Sequence, residues 1–153
     1  MIKRVLFVCN NNVCCSPLAE GILRLRAKQA GLDLIVDSAA ASGWHSGEAP
    51  DARAIVAARE HGFDISEQLA RLLRANDFET AQLIIAMDAE CLEYVESLRP
   101  EGAEVEITLM RRLASVPSEE DVPDPYYTGQ FDPVIAVLED CMPGLIAYLK
   151  GAQ

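Results

Sequence analysis

The chain has 153 residues, 50% of them hydrophobic and 24% charged, and its formal net charge is −11. This balance is typical of a soluble globular protein, and the length predicts one domain over residues 1–153. No apolar run reaches the roughly 18 residues of a membrane span, and the apolar stretch ending at Cys9 is too short for a signal peptide. We therefore expect a cytoplasmic protein without membrane insertion.

Acidic residues are concentrated in the second half of the chain. Residues 1–75 carry 9 Lys and Arg against 8 Asp and Glu, whereas residues 76–153 carry 4 against 16. This balance argues against a nucleic acid as the partner, because nucleic-acid binding relies on Lys and Arg that neutralise phosphates. The simplest interpretation of the acidity is a solvated surface.

Strands and helices alternate along the first half of the chain. The apolar run of residues 4–9 predicts a strand buried on both faces. Ser16 and Pro17 then predict a helix with Ser16 as its N-cap and Pro17 at its first helical position. Residues 34–36 predict a second short strand, and residues 50–62 predict an alanine-rich helix.

The second half continues this alternation. Residues 83–87 predict a third buried strand followed by a helix, and residues 105–109 predict a weaker fourth strand. Residues 117–133 contain four prolines and predict a loop. Apolar residues at helical spacing predict a last helix from Phe131, which Pro143 should bend or interrupt. With right-handed crossovers, this order of elements predicts a doubly wound parallel sheet.

Residues 9–16 join the first strand to the first helix, which is where open α/β sheets bind ligands. A tight loop there points backbone N–H groups at one spot, and the helix dipole adds partial positive charge, so the loop suits phosphate. The successive residues Asn10, Asn11 and Asn12 tolerate left-handed backbone angles. At the base of this cradle, we expect the Cys9 thiol to have a depressed pKa and to attack phosphorus.

A second candidate group is an aspartate on a stiff loop. Asp124 lies between Pro123 and Pro125 and is followed by Tyr126 and Tyr127. An aspartate in this setting suits a general acid above a pocket that accepts an aromatic ring. A plain surface turn is the alternative, since Asp-Pro is common in turns.

The five cysteines predict neither a disulfide framework nor a metal site. An odd number does not suit a disulfide scaffold in a reducing compartment, and His45 and His61 form no zinc-ligand pattern. A reactive thiol near the N-terminus is the better interpretation. The clustering of Cys9, Cys14 and Cys15 also leaves thiol–redox chemistry open.

Several separated segments agree in order and spacing with one known family: residues 8–17, 37–45, 47–51, 86–88 and 124–127. They resemble the low-molecular-weight protein-tyrosine phosphatase family, and the resemblance extends over nearly the whole chain. It implies a single three-layer α/β domain with a four-stranded parallel sheet in the order 2-1-3-4 and helices on both faces. It also implies hydrolysis of phosphotyrosine in proteins or of small aryl phosphates, with no metal and no organic cofactor.

The resemblance assigns roles to the site residues. It implies that Cys9 is the nucleophile and that Asp124 protonates the leaving phenolate and then activates water. The Ser16 hydroxyl would favour the thiolate, and Asn12 would hold the loop in shape with the help of Ser38. The implied phosphate-binding loop consists of Asn10, Asn11, Asn12, Val13, Cys14 and Cys15, and the implied walls of the substrate cleft are Trp44, Tyr126 and Tyr127.

Two loop positions depart from the family pattern. Cys15 stands where the signature has an arginine, whose charged fork would bind two phosphate oxygens. By analogy with arginine fingers, its loss predicts a rate lower by a factor on the order of 10³–10⁵. Asn11 stands where the family usually has glycine and is tolerated if its backbone is left-handed.

Three functions remain compatible with the sequence. A phosphatase of weakened activity is favoured by the presence of Asp124. A phosphate-binding, regulatory pseudophosphatase is favoured by the missing arginine at Cys15. A thiol-redox or arsenate-reductase-like protein is less favoured, because the third strand ends at Met87 with only Cys91 nearby, not with a downstream pair of cysteines. The oligomeric state is left open.

Overall fold

Four short strands form one parallel sheet at the centre of the computed structural model, which describes residues 2–151. The strands are β1 (Arg4–Cys9), β2 (Ile35–Ala40), β3 (Leu83–Ala86) and β4 (Glu106–Leu109). They are hydrogen-bonded in the order β2-β1-β3-β4, and every neighbouring pair is parallel. The predicted α/β fold and its strand order are confirmed.

Helices cover both faces of the sheet. They are α1 (Cys15–Gln29), α2 (Ala52–Glu60), α3 (Asp77–Thr80), α4 (Ala89–Leu98), α5 (Pro125–Thr128) and α6 (Phe131–Gly151), and a 3₁₀ turn spans Met110–Leu113. Among these described residues, no helix is both long enough and apolar enough to cross a membrane.

The alternation of side chains along β1 divides the core into two layers. Val5 and Phe7 belong to the larger hydrophobic cluster, which includes the apolar faces of α1 and α6. Leu6 and Val8 point the other way, into a smaller cluster that includes Val95 of α4. Because successive side chains of a strand face opposite sides, a strand buried on both faces must be apolar at every position.

Two predicted boundaries and one predicted helix cap were wrong. The second strand extends through Asp37 and Ser38, because these polar side chains bind Arg71 and Glu20 and so satisfy their hydrogen-bonding groups inside the fold. The first helix begins at Cys15, with Cys14 as its N-cap. Its Ser16 does not cap the helix, because the Ser16 hydroxyl lies 2.9 Å from the Cys9 sulfur.

The predicted loop of residues 117–133 contains the short helix α5. Its cap is Asp124, whose side chain accepts a hydrogen bond of 3.0 Å from the Tyr126 N–H, and it ends at Gly129, whose φ is 73°. Helix α6 then runs without interruption through Pro143, whose ring faces solvent. The expected break is absent because buried residues on both sides, Met142 and Leu145, hold the helix against the core.

Gly144 marks a close approach between α6 and the 3₁₀ turn. A Cβ atom at this position would collide with the backbone carbonyl oxygen of Leu113. We therefore expect Gly144→Ala to lower the free energy of unfolding by about 2 kcal/mol, as in other overpacked sites, despite the better helix propensity of alanine. Chemical denaturation measures this difference.

Gly151→Ala is the matched control, because it makes the same substitution in the same helix, where no other part of the described fold lies within 4 Å of the new Cβ. We expect it to leave stability unchanged or slightly higher. Equal stability of the Gly144→Ala and Gly151→Ala variants would contradict the close approach.

Candidate active site

The loop between β1 and α1 wraps around the sulfur of Cys9. Cys9 is the last residue of β1, it is 8% exposed, and the backbone N–H of Asn12 donates to its sulfur over 3.2 Å. Among residues 2–151, Asn12 is the only non-glycine residue with a positive φ, at 59°. Asn12 therefore adopts the left-handed conformation in this loop, which a short polar asparagine tolerates, and Asn11 does not.

Buried side chains hold this loop conformation. Asn12 Nδ2 donates to the hydroxyls of Ser16 over 2.8 Å and of Ser38 over 2.9 Å. Asn12 Oδ1 accepts from the backbone N–H of Arg71 over 3.1 Å. The amide of Asn12 therefore ties the loop to helix α1, to strand β2 and to the segment after α2.

Burial raises the pKa of the Cys9 thiol, which corrects the expectation of a depressed pKa. Hydrogen bonds from the Ser16 hydroxyl and from the backbone N–H groups of Ser16 and Asn12 favour the thiolate, but the carboxylate of Asp124 opposes it. The loop geometry alone suggested a stabilised thiolate. The desolvation of an anion with no cation beside it outweighs those hydrogen bonds.

Cys15 fills the position of the missing arginine with a buried, neutral group. Its side chain is 4% exposed, and its sulfur donates to the carbonyl oxygen of Pro123 over 3.4 Å. Burial also raises the pKa of Cys15, so it remains a thiol. Cys15 thus connects the candidate phosphate loop to the loop that carries Asp124.

Among residues 2–151, no arginine takes this place. The Arg71 guanidinium is held by the carboxylates of Asp37 and Asp77, over 2.8 and 2.9 Å. Burial raises the pKa of Cys14 and Arg53 only partly opposes this rise, while the Arg53 guanidinium is engaged with Asp51 and the carbonyl of Tyr126. Within the described part of the chain, neither lysine nor arginine lines the cavity at Cys9.

The cavity above Cys9 has a volume of about 30 Å³. This is space for about two water molecules. Its lining consists of Cys9, Asn10, Asn11, Val13, Cys14, Cys15, Met87, Asp88, Val122, Asp124 and Tyr126. The structure therefore brings most of the predicted loop together with the predicted acid, in a narrow site.

The three predicted aromatic residues differ in position. Tyr126 is half-buried and lines the cavity, and Tyr127 meets it edge-on with ring centroids 5.1 Å apart. Tyr127 is 79% exposed and Trp44 is 86% exposed, and neither lines the cavity. Both rings therefore project largely into solvent.

Sequence reasoning gave no role to two acidic groups of this region. Glu20 is 4% exposed and accepts a hydrogen bond of 2.7 Å from the Ser38 hydroxyl. Asp88 lines the cavity, and burial together with the negative charges of Asp121, Glu90 and Asp124 raises its pKa. A signal for Glu20 existed in the sequence, because Arg24 follows it at the spacing of a helical ion pair.

No set of three or more His, Cys, Asp or Glu side chains is arranged to hold a metal ion among residues 2–151. All five cysteines are free thiols. What the arrangement offers chemically is a sulfur nucleophile, oriented hydrogen-bond donors and a nearby carboxylic acid.

Known proteins resemble this chain in sequence and in structure. A family model described as low molecular weight phosphotyrosine protein phosphatase matches residues 4–153. A low molecular weight protein-tyrosine-phosphatase of Streptomyces coelicolor is 36% identical over 157 residues, covering 98% of this chain and 95% of the relative.

Two solved structures show the same fold. A protein tyrosine phosphatase from Entamoeba histolytica, with Hepes in its active site, superposes with a TM-score of 0.92 at 30% identity and 98% coverage of both chains. YfkJ from Bacillus subtilis superposes with a TM-score of 0.92 at 34% identity, covering 100% of this chain and 98% of its own.

Proposed function

Because the chain belongs to the low molecular weight phosphotyrosine protein phosphatase family, we propose that it hydrolyses tyrosine phosphate and other aryl phosphates through a phosphocysteine. The observation that carries this proposal is the set of donors around the Cys9 sulfur. The Asn12 N–H and the Ser16 hydroxyl both lie at hydrogen-bond distance from it, at the N-terminus of α1.

The reaction has two chemical steps. In the first, the Cys9 thiolate attacks phosphorus, the bond from phosphorus to the phenolic oxygen breaks, and Asp124 gives that oxygen its proton. In the second, Asp124 takes a proton from water, the water oxygen attacks phosphorus, and the sulfur–phosphorus bond breaks to release phosphate. The Ser16 hydroxyl stabilises the thiolate both as nucleophile and as leaving group.

Substrate binding relies on the loop and on the exposed rings. The phosphate oxygens are proposed to be held by the backbone N–H groups of the six loop residues Asn10, Asn11, Asn12, Val13, Cys14 and Cys15. Tyr126, Tyr127 and Trp44 are proposed to flank the phenyl ring of a phosphotyrosine protein or a small aryl phosphate. The reaction uses no metal and no organic cofactor.

Activity is proposed to be weak because of Cys15. Its thiol has no positive charge with which to neutralise the transferring phosphoryl group.

The free cysteines are typical of a reducing compartment and support a cytoplasmic location.

A regulatory pseudophosphatase is the second candidate function. The absence of a lysine or arginine from the described lining of the cavity favours it, since this feature works against turnover. Such a protein would bind phosphate or a phosphorylated peptide without forming phosphocysteine.

Trapping of the covalent intermediate distinguishes the two functions. We expect acid quenching during turnover of an aryl phosphate to leave one phosphoryl group on the peptide that contains Cys9, detected by mass spectrometry. Cys9→Ser should abolish this adduct, whereas Cys91→Ser, which replaces a buried thiol on α4, should retain it. Hydrolysis without an adduct on Cys9 would contradict the proposed mechanism, and binding without hydrolysis would favour the pseudophosphatase.

A further inference from the structure

Helix α5, which follows Asp124, is too short to hold its own position. It consists of Pro125–Thr128, and the backbone N–H of Gly129 donates to the Pro125 carbonyl over 2.8 Å, which closes a single turn. Isolated helices shorter than about 12 residues are marginal in water. The position of α5, and with it that of the Asp124 carboxylate at its N-terminus, must therefore come from contacts with the rest of the fold.

Tyr126 links the candidate acid to an arginine through its backbone. Its N–H donates to Asp124 Oδ1 over 3.0 Å, and its carbonyl oxygen accepts from Arg53 Nη2 over 3.0 Å. Carbonyls in the last turn of a helix have no partner within the helix, and here the next N–H in line, that of Gln130, donates to the Thr128 hydroxyl instead. One residue thus carries both the bond that orients Asp124 and the bond that attaches α5 to Arg53.

The Arg53 guanidinium is held on its other side by a carboxylate that contacts the phosphate loop. Its Nε and Nη2 donate to the two oxygens of Asp51 over 3.0 and 2.9 Å. The Asp51 backbone N–H donates to the carbonyl oxygen of Val13 over 2.9 Å. A planar guanidinium can grip a carboxylate with two parallel bonds and still donate a further N–H elsewhere. Arg53 and Asp51 therefore connect α5 to the phosphate loop.

Two aromatic rings restrict where this guanidinium can lie. Its central carbon is 5.9 Å from the ring centroid of Tyr126 and 5.2 Å from that of Phe131, the buried first residue of α6. Both distances suit a cation above the face of a ring. A Cβ atom on Gly129 would lie 3.7 Å from Arg53 Nη1. Arg53 thus contacts the middle of α5, the residue that ends it and the start of α6.

The segment before the acid is attached to the core in a different way. The Val122 N–H donates to the Met87 carbonyl over 2.9 Å, and the Cys15 sulfur donates to the Pro123 carbonyl over 3.4 Å. A thiol is a weak donor, whereas hydrogen bonds from a charged group are stronger than neutral ones. Arg53 therefore provides the charged attachment of the acid loop, on the C-terminal side of the acid.

We propose that Arg53 is a positioning residue that holds α5 against the phosphate loop, so that the Asp124 carboxyl group points into the cavity above Cys9. Arg53 does not line that cavity and acts through the backbone of Tyr126. The effect on catalysis rests on the proposed function, whereas the effect on the order of α5 does not.

Arg53→Met separates positioning from stability. The Arg53 side chain is 50% exposed, and ion pairs in contact with water contribute little to stability, so we expect this variant to fold. Methionine keeps the apolar stem but removes every donor. We expect kcat/KM for phenyl phosphate to fall about tenfold, which is part of the factor of about 10²–10⁴ that acid catalysis supplies. For nitrophenyl phosphate, whose leaving group needs no proton, we expect a change of less than about twofold.

Arg53→Lys and Arg59→Met are the matched variants. Lysine keeps the charge but lacks the planar fork that reaches both Asp51 and the Tyr126 carbonyl, so we expect a loss similar to that of Arg53→Met. An arginine that acted only by attracting phosphate with its charge would be replaced by lysine without loss. Arg59→Met makes the same substitution at an exposed position of α2 that does not line the cavity, and it should leave both esters unaffected.

Hydrogen–deuterium exchange of the peptide covering residues 124–130, measured beside the kinetics, decides the proposal. We expect its amides to exchange about fivefold faster in Arg53→Met than in the parent or in Arg59→Met. Unchanged exchange would overturn the proposal, and so would an equal loss on both esters or full activity of Arg53→Lys. If Arg53→Met does not fold, Arg53→Lys breaks the same connection and gives the same measurements. If exchange accelerates as expected while the parent hydrolyses neither ester, the positioning of α5 stands and the proposed function fails.

Discussion

Cys15→Arg is expected to raise kcat for aryl phosphate hydrolysis by a factor on the order of 10³ and to lower KM as well. A factor of 10³ corresponds to about 4 kcal/mol of transition-state stabilisation. An arginine would replace a neutral thiol by a planar fork that donates to two phosphate oxygens. Since charge on these oxygens is redistributed as the phosphoryl group transfers, its contacts strengthen in the transition state and kcat rises along with binding.

The same substitution changes the ionisation of the nucleophile. Burial raises the pKa of Cys9, and Asp124 adds to the rise. A guanidinium beside the sulfur favours the charged form and lowers that pKa, so the thiolate forms at lower pH. Because Asp124 must be protonated while Cys9 is ionised, we expect the optimum of kcat/KM to move to lower pH in Cys15→Arg.

Cys15→Lys and Cys15→Ser are the matched variants. Lysine supplies charge without the fork and should restore part of the rate, whereas serine supplies neither and should leave it near that of the parent. Steady-state kinetics of all four proteins at one pH measure these differences, and thermal unfolding checks that the larger side chains fit beside Pro123. If Cys15→Arg changes neither kcat nor KM by more than about threefold, roughly 0.65 kcal/mol, the site does not use arginine for this chemistry.

The sequence predicts those elements whose structure depends on residues close together along the chain. The apolar run of residues 4–9 must lie between two layers, and β1 does so with all residues from Val5 to Cys9 buried. The second strand was predicted too short because Asp37 and Ser38 are polar. Their partners, Arg71 and Glu20, lie far away in sequence, so no local pattern could show that these positions are satisfied inside the sheet.

The candidate site shows the same division. Cys9 and Ser16 lie seven residues apart in one short loop, so the contact between the Ser16 hydroxyl and the Cys9 sulfur could be predicted from the motif. The pKa of Cys9 depends instead on how tightly the whole fold excludes water, which the loop sequence does not encode. The exposure of Trp44 also depends on tertiary packing, since a turn holds the ring in solvent and away from the cavity.

Asp124→Asn is expected to lower kcat by about 10²–10⁴-fold for phenyl phosphate, the range that general acid–base catalysis supplies. Phenolate is a poor leaving group, so its departure depends on the proton from Asp124. For a nitrophenyl ester, whose leaving group is already stable as an anion, we expect a loss of about tenfold or less. Asparagine retains an acceptor for the Tyr126 N–H, so the cap of α5 and the shape of the loop should persist.

Asp121→Asn is the control that isolates proton transfer from charge. It removes the same charge from the same loop, and its remaining oxygen can still accept from the Ala89 N–H, which the carboxylate binds over 2.8 Å. The Asp124 carboxylate disfavours the Cys9 thiolate, so its loss would by electrostatics alone favour the thiolate and raise the rate. A fall in Asp124→Asn must therefore come from the missing acid, and it must grow as the leaving group worsens. An equal loss on phenyl and nitrophenyl phosphate would show that Asp124 does not protonate the leaving oxygen.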